Sequence, residues 1–235
     1  MIYAGCSGYS FKEWVGEFYP PKTPAKEYLA YYATQLNSVE INHTFRRFPR
    51  LELMQTWADM TPETFRLSFK MNQSVTHRYR LKEVSRPVSD FLDNLAPLGP
   101  RLGVVLFQLP PFFKLDLDRL ETFLAELPQG RRFAMEFRHE SWNAPAVVDR
   151  LKEAGVALCA AELEIDVEGA EPNGVIQTAP FLYIRLRKAP PYADAEVEAL
   201  RELLARASHE AEDIYLYAKH DDEGIAPSQV KRLVR

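Results

Sequence analysis

The chain has 235 residues, 46% of them hydrophobic and 26% charged, with a formal net charge of −4. That composition suits a globular protein with a sizeable core, and it excludes a global attraction to nucleic acid or anionic lipid, so any anion binding requires a local cluster. Cys6 and Cys159 are too few for a disulfide framework. No apolar run approaches the ~18 residues of a membrane span, and the opening residues lack the basic and apolar regions of a signal peptide. A cytoplasmic protein without membrane association is expected.

Short apolar runs alternate with amphipathic stretches along the whole chain. The first four strands are expected near Ile2–Cys6, Ser38–Asn42, Phe65–Lys70 and Leu102–Leu109. Four more follow near Arg132–Phe137, Val156–Ala161, Phe181–Arg187 and Asp213–Lys219. The fourth is nearly all apolar, as parallel strands buried on both faces are. Pro24–Gln35 reads as the first helix, with Thr23 as N-cap and proline at the first helical position. Further helices are expected over Arg50–Met60, Arg86–Leu95, Asp116–Leu127, Pro145–Ala154, Asp194–Ser208 and Pro227–Arg235. Gly155 stands where a C-cap glycine belongs. Glu162–Ala179 contains Gly169, Pro172, Asn173 and Gly174, so an irregular connection is expected between strands 6 and 7.

Strict alternation of strand and helix points to an α/β protein with a parallel sheet and helices outside it. Eight units averaging about 29 residues fit a single-domain TIM-type (β/α)8 barrel, whose usual length is ~250 residues. An open doubly wound sheet would carry a glycine-rich phosphate turn after an early strand, and Gly5-Cys-Ser-Gly8 is a poor version of one.

Side chains alternate along a strand, so parity sorts them onto two faces. Val39 and Ile41 oppose Glu40 and Asn42, and Phe133, Met135 and Phe137 oppose Ala134, Glu136 and Arg138. Leu182, Ile184 and Leu186 oppose Tyr183, Arg185 and Arg187, and the third and eighth strands divide in the same way. With the apolar faces under the helices, the polar faces point inward. Glu40, Lys70, Glu136, Arg138, Arg185 and Lys219 then converge at the carboxyl ends of the strands, joined by Gln108 and Glu162. Buried charges need partners because desolvation is costly. They form either an ion network that closes the barrel or an active site, which barrels build at this end.

The catalytic candidates are Glu40 and Glu136, as general acid and base. Ser7, Tyr9, Asn42, Lys70, His77, Arg78, Gln108, Arg138, Trp142, Arg185 and Lys219 are the candidate substrate-binding residues. The arginines and lysines suit an anionic small molecule. Thr76–Lys82 forms a basic loop, and Tyr9, Phe11, Trp14, Phe45, Tyr79 and Trp142 crowd the same side. Such loops grip phosphates or a single strand of nucleic acid, although Trp14 and Phe45 fit a roof over the barrel better. His43, His77, His139, Glu40, Glu136 and Glu162 are possible ligands for a divalent metal, but no tight metal-binding spacing occurs. No metal ligand is therefore assigned, and the cofactor stays unknown. Cys6 reads as a small buried residue and Cys159 as core. A cis bond at Pro110-Pro111 would re-aim Gln108. Three functions stay open: an enzyme acting on an anionic small molecule, a nucleic-acid binder or phosphodiester hydrolase, and a non-catalytic ligand-binding barrel. The oligomeric state is also open.

Gly5-Cys-Ser-Gly-Tyr9, Val39-Glu-Ile-Asn-His-Thr-Phe45, Val105-Leu-Phe-Gln-Leu-Pro-Pro111 and Glu136-Phe-Arg-His-Glu-Ser-Trp142 resemble the blocks of the YecE-like family, domain of unknown function 72. Thr76-His77 and Tyr183-Ile-Arg185 are similar to further blocks, and the likeness runs from Ile2 to about Gln229. The resemblance implies a TIM-type barrel and no particular activity. A more distant likeness to metal-dependent isomerases and abasic-site endonucleases is a fold-level analogy alone. Three places depart from the family pattern. Arg185-Leu-Arg-Lys188 stands where Arg-Leu-His-Gly is usual, Lys219-His-Asp-Asp222 where an Asn-Asn-Asp-like run is usual, and Glu162 where aspartate is usual.

Overall fold

Eight parallel strands curl into a nearly closed ring. The computed structural model describes residues 1–161 and 175–234. The strands are β1 (Ile2–Cys6), β2 (Ser38–Ile41), β3 (Arg66–Lys70), β4 (Leu102–Gln108), β5 (Arg132–Glu136), β6 (Ala157–Ala160), β7 (Phe181–Leu186) and β8 (Asp213–Ala218). Their order around the ring is β1-β8-β7-β6-β5-β4-β3-β2, with every ladder parallel. The helices are α1 (Tyr28–Gln35), α2 (Leu51–Met60), α3 (Ser85–Leu95), α4 (Leu117–Ala125), α5 (Pro145–Ala154), α6 (Asp194–Ala207) and α7 (Ala226–Leu233). None of the described helices is long and apolar enough to cross a membrane.

The expected elements lie where the periodicity placed them, with most ends moved by one or two residues. The entry to α1 differs more. A 3₁₀ turn over Ala25–Glu27 precedes it, and the Thr23 hydroxyl donates to the Pro20 carbonyl at 2.7 Å instead of capping the helix. Asp116 caps α4 from outside, accepting from the Arg119 amide at 3.1 Å. Gly155 ends α5 in the left-handed conformation (φ 64°, ψ 29°), which suits a residue without Cβ. Among the described residues the one cis peptide is Pro190-Pro191, so the Pro110-Pro111 bond is trans and does not re-aim Gln108. The irregular connection expected over 162–179, with Glu162, falls mostly outside the described residues.

Two apolar layers follow from strand parity. Val39, Ile41, Leu67, Phe69, Phe107, Phe133, Met135, Ile184 and Leu216 pack under the helices. Tyr3, Val104, Leu106, Ala134, Cys159, Tyr183, Tyr215 and Tyr217 fill the ring. A hydroxyl relay satisfies the polar tips inside: Tyr217 lies 2.7 Å from both Ser38 Oγ and Ser68 Oγ, and Ser68 accepts from the Val104 amide at 3.0 Å. Unpaired buried hydroxyls would each cost ~1–3 kcal/mol.

Among the described residues no backbone ladder joins β1 to β2; side chains close that seam. The Asn37 amide accepts from Ala4 N and donates to Ile2 O, both at 2.8 Å, and the Tyr32 hydroxyl accepts from Cys6 N at 2.8 Å. The strands approach so closely that a Cβ on Gly5 would sit 1.8 Å from the Ser38 carbonyl oxygen. Gly5→Ala is therefore expected to part the seam and cost about 2 kcal/mol or more. Urea unfolding checks this, and an unchanged midpoint would show that the junction yields freely.

Candidate functional site

The carboxyl ends of β2, β3, β4, β5 and β7 bring six polar side chains to one place. Arg185, from β7, is the hub. Its guanidinium donates to Glu40 Oε1 at 2.9 Å and to Glu136 Oε2 at 2.5 Å. Arg138 donates to Glu136 Oε1 at 2.8 Å and to Gln108 Oε1 at 3.0 Å. Lys70 Nζ donates to the same Gln108 oxygen at 2.9 Å. Glu40 also accepts from Asn42 Nδ2 at 2.9 Å and from the Tyr183 hydroxyl at 2.7 Å.

Both carboxylates are sealed in, with 0% of Glu40 and 1% of Glu136 exposed. They carry arginine partners rather than facing an open space. Burial opposes the charge on Glu136, but Arg185 and Arg138 outweigh it and hold its carboxyl below the usual range. Burial likewise disfavours the charged Arg185, and Glu40 and Glu136 overcome that, so Arg185 stays protonated. The result of this layer is a paired network, in which two guanidinium groups are held in place against two carboxylates.

Above it lies a pocket of about 360 Å³. Its cationic lining comprises Lys70, Arg138, Arg185, Arg187 and Lys219, and no carboxylate among the described residues lines it. Ser7, Asn42, Phe45, Gln108, Tyr217 and His220 complete most of the wall. Ser7 Oγ lies 3.3 Å from His220 Nδ1 and accepts from the His220 amide at 3.1 Å. The His220 ring stacks on Phe11 with centroids 4.6 Å apart. Asn42 Oδ1 is the one buried side-chain polar atom among the described residues without a hydrogen-bond partner.

The candidate residues thus divide. Ser7, Asn42, Lys70, Gln108, Arg138, Arg185 and Lys219 meet at the pocket, and Glu40 and Glu136 lie under it. Tyr9 packs edge-on against Trp57 and is not in the lining. Trp142 is buried, stacked on Phe137 at 4.5 Å with its indole N–H donating to the Phe113 carbonyl at 2.7 Å, so it roofs the fold. Arg78 lies over the Tyr79 ring at 5.5 Å. His77 bonds Thr76 Oγ1 at 2.9 Å and meets the Phe45 ring nearly at right angles. Trp14 is packing, as expected, whereas Phe45 walls the pocket and lies 4.3 Å from Lys70 Nζ.

Arg187, Tyr217 and His220 line the pocket beside the candidate residues. Parity on β7 and β8 places Arg187 and Tyr217 on the inward face, a signal present in the sequence. His220 follows the end of β8, where parity stops. Arg187, Lys219 and His220 also sit at two of the departures from the family blocks, so those departures shape the pocket wall. Among the described residues no three His, Cys, Asp or Glu side chains gather as a metal site would require. Cys6 is buried, and burial pushes its thiol up to about 12.

The ionic layer has a pH signature. Glu136 titrates lower in the folded chain than in the unfolded one. Its stabilisation is therefore complete above the ordinary glutamate range and is lost as pH falls through the folded value. Glu136→Gln is expected to cost about 3 kcal/mol at neutral pH, because two arginines lose their counter-charge. Urea unfolding at several pH values should show the gap to wild type narrowing on acidification; a gap independent of pH contradicts the ionic role.

Comparison with known proteins agrees with this architecture. The chain is 31% identical over 157 residues to the UPF0759 protein YecE of Escherichia coli K12, covering 66% of this chain and 55% of that protein. It is 28% identical over 157 residues to the UPF0759 protein YunF of Bacillus subtilis 168, covering 62% and 53%. The matches thus span about half the length of these curated relatives. A DUF72 family crystal structure from Thermotoga maritima superposes with a TM-score of 0.85 at 25% identity, over 100% of this chain and 98% of that one. Another, from Enterococcus faecalis V583, gives 0.80 at 20% identity over 99% and 94%, a likeness of fold. Residues 3–235 match the family described as "Protein of unknown function DUF72", and the chain belongs to that family.

Proposed function

We propose that this barrel is an enzyme acting on a small anionic compound, a phosphate or carboxylate, held at the mouth by Lys70, Arg138, Arg185 and Lys219. The observation that carries the reading is the 360 Å³ pocket with five cationic side chains and no described carboxylate in its lining. The chain as a whole is acidic, so this local excess is no reflection of composition. In this reading Glu40 and Glu136 are counter-ions that hold the arginines, and not the acid and base. An oxyanion completes the lining by charge-assisted hydrogen bonds. A cytoplasmic location fits the two buried free cysteines.

Calorimetric titration with inorganic phosphate at low ionic strength should show saturable binding that weakens as salt is raised. Lys219→Ala should weaken it about 10-fold, the loss of one hydrogen bond to a charged group. No binding of phosphate, sulfate or citrate at millimolar concentration contradicts the proposal.

A single strand of nucleic acid is the second reading. Tyr79 is 45% and Phe112 is 65% exposed, on the loops after β3 and β4, with Arg78 and Arg80 beside Tyr79. Exposed rings next to cations stack bases and grip the backbone. Anisotropy of a labelled oligothymidylate should then fall steeply with salt; no binding at low salt removes this reading.

A further inference from the structure

Lys70 differs from the two arginines beside it in its partners. Arg138 and Arg185 take the two buried carboxylates. Lys70 is left with a neutral amide, Gln108, and the face of Phe45. Among the described residues no carboxylate lies within ion-pair distance of it. Its Nζ is fixed in place at the pocket wall by that hydrogen bond and that ring.

We propose that Lys70 is a nucleophile that forms an imine with an aldehyde or ketone bearing an anionic group, a role that rests on the anion-binding reading above. The amine lone pair attacks the carbonyl carbon, and the carbonyl π pair moves to oxygen, which takes up a proton. The resulting carbinolamine loses its C–O bond as water leaves, giving the protonated imine. One ammonium and one carbonyl become one iminium and one water, with no change of oxidation state. In this step Arg138, Arg185 and Lys219 hold the anionic group and Lys70 is left to meet the carbonyl, which is fixed near Nζ.

The electrostatics agree with the geometry. Burial is the main cause that lowers Lys70 to about 8; Arg185 and Arg138 act in the same direction, and Glu136 and Glu40 oppose them. His77, the remaining titratable group beside it, is itself lowered by burial and by Lys70 and Arg138, so it adds little charge. At pH 7.5 about a quarter of such an amine is neutral, against roughly one in a thousand for an ordinary lysine. Desolvation beside other cations is the usual way to activate an amine for imine chemistry.

Pyridoxal 5′-phosphate is the probe, being an aldehyde with a phosphate. The full chain is incubated with it, reduced with borohydride and mapped by peptide mass spectrometry. Lys70 should be labelled at least about 10-fold faster than exposed Lys22 and Lys26, with a rate that rises through a midpoint near pH 8. Inorganic phosphate should protect it, and Lys70→Arg should remove the fast label. Labelling of Lys70 no faster than of the exposed lysines overturns the imine, and it leaves the anion reading standing if phosphate still binds in calorimetry. Equal labelling by pyridoxal without its phosphate overturns the anionic substrate class.

Discussion

The guanidinium of Arg185 spans the inside of the ring and joins carboxylates that arrive from β2 and β5. Taking these three charges out of water costs several kcal/mol per ion, and their attraction offsets that only when geometry and extra hydrogen bonds are good. Here they are. Tyr183 and Asn42 complete Glu40, and Arg138 completes Glu136. Buried ion pairs are often no more stabilising than well-packed apolar side chains, so stability alone does not account for this layer. It fixes two guanidinium groups under the mouth while cancelling their charge against two carboxylates. Lys70 and Lys219 then give the pocket its positive excess over an acidic protein.

That arrangement supports one of the chemistries proposed for the site. A general acid or base needs contact with the substrate and a pKa near the working pH. Glu40 and Glu136 have neither exposure nor a spare face. Lys70 has access to the pocket, a neutral partner and a lowered pKa. The glutamates matter to it indirectly. By occupying the arginines they leave the amine without a carboxylate of its own, and by lying nearby they keep it from falling lower still.

The fold was legible because period-2 alternation on β2, β3, β5, β7 and β8 could be read directly. Each of those strands puts its apolar residues under the helices and its polar ones into the ring. The same parity places Glu40, Lys70, Glu136 and Arg185 on one inward face. It could not say what they do to one another, since a carboxylate facing a pocket and one tucked beneath an arginine share the same parity. Residues beyond the strand ends were the least legible. Trp142 and His220 both follow strands, yet one is buried by stacking on Phe137 and the other lines the pocket beside Ser7. Turn geometry separates them, and no periodic signal encodes it. The β1–β2 seam was equally silent, because Asn37 and Tyr32 bridge it through side chains.

Anomalous diffraction from a crystal soaked in selenate at low ionic strength tests the central claim most directly. The account predicts the strongest peak in the mouth, within hydrogen-bond reach of Lys70, Arg138 or Lys219, with Glu40 and Glu136 still paired beneath Arg185. Peaks confined to other surfaces, or an Arg185 swung away to leave either carboxylate open to solvent, would contradict it.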